Sequence, residues 1–428
     1  MDYPQTLQYL YNRLPMYSRI GAAAYRNDLV NTIRLCEYIG NPQDKFKSVH
    51  VAGTNGKGST SHMLASIFQA AGYKTGLYTS PHLKDFRERI RVNGEMIDKD
   101  FVTRFVERIR PLSEEIDPSF FEVTVAMAFE YFVEEQVDIA IVEVGLGGRL
   151  DSTNIITPEL SVITNIGFDH MAMLGDTLEL IAAEKGGIIK KGTPVVVGEH
   201  HPSTSPVFER LAEEKAAPLS YADRKRFVAE WKSEQHALVA EVTTPPLNEK
   251  DYYQLDLPGI YQIKNLLTVL EAVHQLNGKG WKLDNRHVHQ ALKQVRKLTG
   301  LHGRWEIIHE HPSIILDVAH NEDGIRQLVR QIELTDHEEL RIVFGMVKDK
   351  ETDKVLTLLP RQAIYYFTRA QIPRAMPEEQ LAELAKEKGL TGQHYPTVMD
   401  ALKAAKAHAH VRDLVIVCGS VFVVGEVE

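Results

Sequence analysis

Lys57 sits in the stretch VAGTNGKGST, Val51 to Thr60, with glycine on both sides and two hydroxyls, Ser59 and Thr60, just beyond. Small residues let backbone N–H groups approach an anion, and the ammonium adds a full charge. The run before it, Lys47 to Val51, is short and β-prone, and Met63, Leu64, Ile67, Phe68 and Ala71 after it share one helical face. A strand, a glycine loop and a helix N-terminus form an anion cradle, and the helix dipole reinforces it. The chemistry this points to is binding of a nucleoside triphosphate. The usual phosphate loop has four residues between its first glycine and the Gly-Lys pair, then Ser or Thr directly after Lys. Here only Thr54 and Asn55 separate Gly53 from Gly56, and Gly58 precedes Ser59. The plain alternative is a glycine-rich turn ahead of a helix.

Three further stretches could hold a cation beside such a phosphate. Asp138 to Asp151, DIAIVEVGLGGRLD, is an apolar strand ending in Glu143. Mg²⁺ wants oxygen ligands and keeps several waters, which suits a carboxylate there, although a strand-end glutamate can equally make a surface hydrogen bond. In VITNIGFDH, Val162 to His170, a strand is expected to run into Asp169 and His170. Ser80, in TSPHL, ends a third strand, where Ser-Pro is also an ordinary turn signal. Lys185, in AEKGG after a helical stretch, reads as a solvated charge unless it is buried. Burial would favour its neutral amine, which can add CO₂ to become a carbamate. Further on, GRWE carries Arg304 and DVAHN carries Asp317, His320 and Asn321. Arg304 could meet charge developing on a triphosphate, or simply pair with an aspartate.

Positioning these groups takes an α/β framework. Residues 49–52, 75–79, 138–144, 160–166 and 194–197 are candidate strands, several of them continuously apolar as in a parallel sheet covered on both faces. Phe121, Val125, Ala128, Phe129 and Phe132 form one helical face. From Phe227 to Leu257 the pattern changes to short antiparallel strands with a Pro-rich turn at Thr243–Leu247. Helices are expected over 261–276 and 286–295, and the break at Leu298–His302 places a boundary between domains 1–298 and 299–428. The second domain alternates strands at 314–318, 341–345, 364–368 and 414–417 with helices near 323–334, 352–359, 378–388 and 398–409. It lacks a phosphate loop of its own, and Leu414–Val424 reads as a buried strand plus turn.

The chain has 428 residues, 43% hydrophobic and 25% charged, which is ordinary for a globular protein. A net charge of −9 argues against nucleic acid as a partner. Two distant cysteines, Cys36 and Cys418, fit neither a disulfide framework nor a Cys-type zinc site. The N-terminal run has no basic flank followed by an apolar core, and no apolar run approaches the ~18 residues a membrane span needs. A cytoplasmic protein with no membrane partner is expected.

The motifs VAGTNGKGS, TSPHL, FFEVT, EVGLGGRLDSTN, TNIGFDH…LG…EKGGIIK, LPG…N265, GRW and DVAHN, taken in order, resemble folylpolyglutamate synthase/dihydrofolate synthase, a branch of the Mur ligase family. The irregular phosphate loop is the form that family uses. The resemblance implies a P-loop ATPase-type N-terminal domain, with a mostly parallel sheet and a small antiparallel one, and a smaller Rossmann-like C-terminal domain. It implies that Thr54, Asn55, Gly56, Lys57, Gly58 and Ser59 hold ATP phosphates, with Asn265, Arg304 and Asp317 also on ATP and His320 nearby. Ser80, Glu143 and His170 would ligate Mg²⁺, and Lys185 would be carbamylated. Lys57, Lys185 and His320 would serve catalysis. Ser119, Phe120, Phe121 and Glu122, with Leu150, Asp151 and Ser152, match the segments that bind dihydropteroate. Ser152 and Gly186 stand where alanine is frequent, which bears on substrate range. The implied reaction joins L-glutamate to dihydropteroate or folate through an acyl phosphate, in a monomer. Another Mur-type amino-acid ligase is the alternative, disfavoured by FFEVT and GGRLDSTN. A GTPase-like switch lacks its Asn-Lys-x-Asp motif, and a non-catalytic relative would not need Lys57, Glu143, His170 and Lys185 together.

Overall fold

The computed structural model describes residues 1–21, 27–234, 236–246, 249–348 and 352–427. Leu247, the end of the expected Pro-rich turn, lies outside them. The chain forms two compact units. The first comprises Met1–Gly167, Met171–Asp256 and Gln262–Leu301, the second Phe168–His170, Leu257–Tyr261 and His302–Glu428.

The first unit is built on eight strands: β1 (Ser48–Ala52), β2 (Thr75–Tyr78), β3 (Ile90–Val92), β4 (Glu95–Met96), β5 (Ile139–Glu143), β6 (Leu160–Ile163), β7 (Val195–Val197) and β8 (Leu219–Tyr221). Their order is β4-β3-β2-β5-β1-β6-β7-β8. From β2 to β8 neighbours run parallel, while β3 and β4 add an antiparallel edge. β1, β5 and β6 are buried along their whole length, as central strands of a sheet covered on both faces must be. The helix Lys57–Ala70 packs on this sheet, and the helices Gln262–Gly278 and Asn285–Leu292 pack on it in turn. It is therefore buried from Ser59 through Phe68, not on one face only. Residues 286–295 do not form one helix. Gln294 leaves the helical region at φ −149, and Val295–Thr299 starts a separate turn. A small antiparallel sheet, β9 (Phe227–Glu234), β10 (Ala237–Thr244) and β11 (Glu249–Leu255), completes the unit.

The second unit has six strands, β12 (Glu306–Glu310), β13 (Ser313–Leu316), β14 (Leu340–Phe344), β15 (Ile364–Phe367), β16 (Thr391–His394) and β17 (Leu414–Cys418), in the order β12-β13-β17-β14-β15-β16. Only β12 is antiparallel to its neighbour. Helices Glu322–Glu333, Thr352–Leu358, Glu378–Glu387 and Val398–His408 cover it, and Ile325, Leu328, Phe344, Phe367, Leu381 and Ile416 form its core. Each such side chain contributes about 1.5–3 kcal/mol on burial. After β17 the chain makes no simple turn. Gly419, at φ +99, passes directly into the short helix Val421–Gly425. No helix among the described residues is long and apolar enough to cross a membrane.

Candidate active site

The glycine loop leaves β1 between β5 and β6. Val51 lies in register with Glu143 on one side and Val162 on the other, so three strand ends meet at the loop. In an open α/β sheet this carboxyl edge is where ligands bind. β6 was expected to run to 166, but it stops at Ile163 and does not deliver Asp169 and His170 as a strand end. Residues 164–167 instead spend their hydrogen bonds on the loop. Thr54 N donates to Asn165 O (3.0 Å), Asn55 N to Asn165 Oδ1 (2.9 Å), and Thr164 Oγ1 to Asn55 O (2.6 Å). Thr54 Oγ1 donates to Gly167 O (3.1 Å) and accepts from Gly167 N (2.9 Å). Gly56, at φ +80, caps the helix that starts at Lys57, and a Cβ there would lie 2.2 Å from Asn265 Oδ1. Gly58 and Ser59 thus lie in the helix's first turn.

Two lysines converge on one carbonyl. Lys57 Nζ donates to Gly53 O and Thr54 O (3.1 Å each), and Lys185 Nζ donates to Gly53 O (3.0 Å). Lys185 is buried in the last turn of the helix Leu178–Gly186. On the other flank, Ser80 N donates to Glu143 Oε2 (3.1 Å), which brings the β2 end against the β5 end. A carboxylate and a hydroxyl are the hard donors that suit Mg²⁺, whose remaining positions waters and phosphate oxygens can fill. Among the described residues no cluster of three or more His, Cys, Asp or Glu side chains is arranged to hold a metal.

His170, at φ +53, belongs to the segment that groups with the second unit. Its N–H donates to Asp169 Oδ1 (2.8 Å). Asp169 Oδ2 accepts from Asn321 Nδ2 (3.1 Å) and lies 3.3 Å from His320 Nε2, while His320 Nδ1 meets Val318 O at 2.9 Å. Asn321 also caps the following helix by accepting from Gly324 N. Asp317 follows β13 directly. It accepts from Tyr261 Oη (2.7 Å), Trp305 N (3.0 Å) and Ala319 N (2.9 Å). Burial pushes its carboxyl above the usual range, against the pull of these hydrogen bonds and of the Arg304 charge. Arg304 itself donates from Nη1 to Gly303 O (3.2 Å).

The expected substrate segments are organised by their own polar groups. Ser119 and Glu122 form a reciprocal capping box at the start of the helix Phe120–Glu134. Phe120 is buried beneath the Arg89 guanidinium, 5.1 Å from its ring, and Arg89 Nε donates to His82 Nδ1 (2.7 Å). Phe121 is half-buried against Gly145, where a Cβ would come within 2.4 Å of its ring. That packing sets the FFEVT segment beside the Glu143 strand end. Asp151 accepts from Leu146 N (2.8 Å), Thr153 N (3.0 Å) and Thr153 Oγ1, so it closes the loop that carries Leu150 and Ser152. With the Thr153 hydroxyl proton committed to Asp151, the 2.8 Å contact from His50 makes His50 Nε2 the donor to Thr153 Oγ1.

Residues 51–273 match the Mur ligase middle domain, and residues 303–421 match the Mur ligase glutamate ligase domain. Over 406 residues the chain is 34% identical to a Bacillus subtilis dihydrofolate synthase/folylpolyglutamate synthase, covering 92% of each. The chain belongs to the dihydrofolate synthase/folylpolyglutamate synthase family. Among solved structures of this family, Escherichia coli FolC in complex with DHPP and ADP superposes with a TM-score of 0.84 at 31% identity, covering 99% of this chain and 96% of that one. A bifunctional folylpolyglutamate synthase/dihydrofolate synthase with Mn, AMPPNP and L-glutamate bound gives 0.81 at 30% identity, covering 99% and 97%.

Within this family framework the first unit brings together the loop 54–59, Asn265, Lys185, Ser80, Glu143 and the segment around Phe121. His170, Arg304, Asp317 and His320 belong to the second unit. Sequence reading missed Thr164 and Asn165, which hold the loop, although both lie in the quoted TNIGFDH motif. It also missed Gln262, one helical turn before Asn265, whose side chain carries no charge to draw notice.

Proposed function

We propose that this protein is an ATP-dependent amide-forming ligase whose glycine loop activates a pteroate or folate carboxylate for capture by L-glutamate. The observation that carries the reading is the convergence of Lys57 and Lys185 on Gly53 O, beside the Ser80–Glu143 pair. Two lysine nitrogens, a helix N-terminus and a carboxylate meet there, at the edge where a triphosphate would lie.

The substrate carboxylate attacks the γ-phosphorus of ATP, ADP leaves, and an acyl phosphate forms. The glutamate amino group, having lost a proton, then adds to the acyl carbon, and the tetrahedral adduct gives a second nitrogen proton to the departing phosphate to leave the amide. Residues 54–59 cradle the phosphates through backbone N–H groups, and Lys57 exchanges its loop carbonyls for phosphate oxygen to offset charge during transfer. Asn265, Arg304 and Asp317 are assigned to ATP, with His320 nearby. Ser80, Glu143 and His170 are assigned to Mg²⁺, which when bound neutralises charge on the transferred phosphoryl group. Lys185 is assigned as the carbamate. Its buried amine suits addition of CO₂, and the carbamate nitrogen keeps one N–H for Gly53 O. Phe121 and Leu150, both half-buried, are assigned to the pteroate face, while Ser119, Phe120, Glu122, Asp151 and Ser152 shape it. A cytoplasmic monomer handling only small molecules is part of this proposal, and its two free, buried cysteines fit a reducing compartment.

The test is ADP release in ATP, Mg²⁺ and L-glutamate, with dihydropteroate in one arm and a monoglutamyl tetrahydrofolate in the other. Release in either arm is expected, and the pair says whether one activity or both are present. Silence in both, with release on a different carboxylate, would move the protein to another Mur-type amino-acid ligase.

A further inference from the structure

We propose that Gln262 is a positioning residue that sets the polarity of the Ser59 hydroxyl in the nucleotide site. Gln262 opens the helix Gln262–Gly278 and is wholly buried. Its Oε1 accepts from Asn265 Nδ2 at 2.8 Å, and its Nε2 donates to Ser59 Oγ at 3.1 Å. Asn265 Oδ1 in turn lies over Gly56, where the absence of a Cβ leaves room for it. The Gln262 amide therefore joins Ser59, in the helix after the phosphate loop, to Asn265, whose own Oδ1 lies over Gly56.

The direction of these bonds carries the inference. Asn265 offers Gln262 a donor, so Gln262 presents its oxygen to Asn265 and its NH₂ to Ser59. Ser59 must accept. A hydroxyl has one proton and two lone pairs. With one lone pair taken by Gln262, Ser59 keeps its O–H for a phosphate oxygen and its second lone pair for a cation bound to that phosphate. An acceptor in place of the Gln262 NH₂ would draw the Ser59 proton inward and remove the donor from the nucleotide side. Gln262 touches no reacting atom and acts only through Ser59 and Asn265.

The inference rests on the ATP-binding part of the ligase reading and is independent of which carboxylate is activated. It is tested by calorimetric titration of Mg-ADP into the full chain, with thermal melts of every variant. Gln262→Glu keeps the acceptor for Asn265 but inverts the group facing Ser59. It is expected to weaken Mg-ADP about tenfold or more, the scale of one hydrogen bond to a charged group. In a Ser59→Ala background the same change should cost less than about twofold, because the inverted partner is gone. A residue that merely packs the helix would cost the same in both backgrounds. Gln262→Met, which adds no charge, should also weaken Mg-ADP but less than Gln262→Glu, and it carries the test alone if the glutamate variant melts early. Wild-type affinity in Gln262→Met, or equal losses with and without Ser59, would overturn the proposal. If neither pteroate nor folate elicits ADP release while the Ser59 dependence holds, the substrate assignment fails and this one stands.

Discussion

Replacing His50 with glutamine should flatten the acid limb of this protein's stability. His50 lies in the middle of β1, fully buried, and donates through Nε2 to Thr153 Oγ1. Its Nδ1 is buried without a hydrogen-bond partner. Burial, reinforced by the nearby charge of Lys190, lowers the imidazole pKa from 6.5 to about 3. The unfolded chain thus takes up a proton below pH 6.5 that the folded chain refuses until about pH 3. The stability tied to the neutral ring is fully present above the unfolded value and drains as pH falls toward the folded one. Between pH 7.5 and 5.0 the loss from this ring alone is about 2 kcal/mol, at 1.36 kcal/mol per pH unit over the interval below the unfolded pKa. Glutamine places an amide N–H where His50 Nε2 now stands and cannot titrate. Urea denaturation followed by circular dichroism at the two pH values should show His50→Gln losing about 2 kcal/mol less than wild type on acidification, whatever its stability at the higher pH. His82, also held near pKa 3 by burial and then by Arg89, remains in both proteins and cancels from the comparison. Identical acid losses in the two proteins would refute the burial argument.

Gly56→Ala should fold yet lose Mg-ADP binding by about tenfold or more, because the new Cβ meets Asn265 Oδ1 at 2.2 Å and φ is +80. An unchanged dissociation constant would show that the loop can give way. Glu143→Ala should reduce turnover at least about a hundredfold while leaving the melting temperature within a few degrees, since it removes an acceptor for Ser80 N and a proposed cation ligand. Near-normal ADP release would take Glu143 out of the site. Chelation with EDTA should stop ADP release and added Mg²⁺ should restore it, and a full rate in EDTA would contradict the metal assignment. Asp413→Ala should cost the second unit about 2 kcal/mol by removing one of three acceptors from the buried Arg341, which donates to Asp413 Oδ2 (3.1 Å), Tyr366 Oη (3.3 Å) and Glu339 Oε2 (2.5 Å). A loss under about 1 kcal/mol in urea titration would mean that Glu339 compensates.

What was legible in the sequence follows from where side-chain pattern and backbone conformation agree. β1, β5 and β6 are buried on both faces, so their largely apolar, β-branched composition marked them. The four longer helices of the second unit lie within about a residue of their expected spans, because each sets an apolar stripe on the sheet. Thr391–His394 carries no such pattern. All four residues are exposed, and only pairing with β15 makes them a strand. The two-residue β4 and the edge strand β12 are likewise consequences of tertiary pairing. The N-terminal helix Tyr3–Arg13 was readable and was missed: Asp2 accepts from Gln5 N and Gln5 accepts from Asp2 N, a cap written in the spacing of those two residues. At the site, charge made Lys57, Glu143 and Lys185 visible. Asn165 holds the loop through its backbone carbonyl and its side-chain oxygen alike, and neither a backbone group nor a neutral amide stands out beside charged residues. The overlong β6 had a similar cause. Thr164 and Ile166 are strand formers, but Thr164 Oγ1, Asn165 and Gly167 bond the glycine loop instead of a neighbouring strand.

The second unit's three-piece construction limits how this protein could be taken apart or recombined. A fragment cut at His302 would carry Asp317 without its Tyr261 donor, and His320 and Asn321 without Asp169. Gln331, which now accepts from Ile260 N, would lose that partner too. The fragment would keep every strand of its sheet and still present exposed, unanswered polar groups around the DVAHN motif. The C-terminal portion is therefore no transferable cassette. A graft onto another nucleotide-binding unit would have to bring residues 168–170 and 257–261 along, which ties inheritance of this unit to two short inserts inside the partner's own sequence.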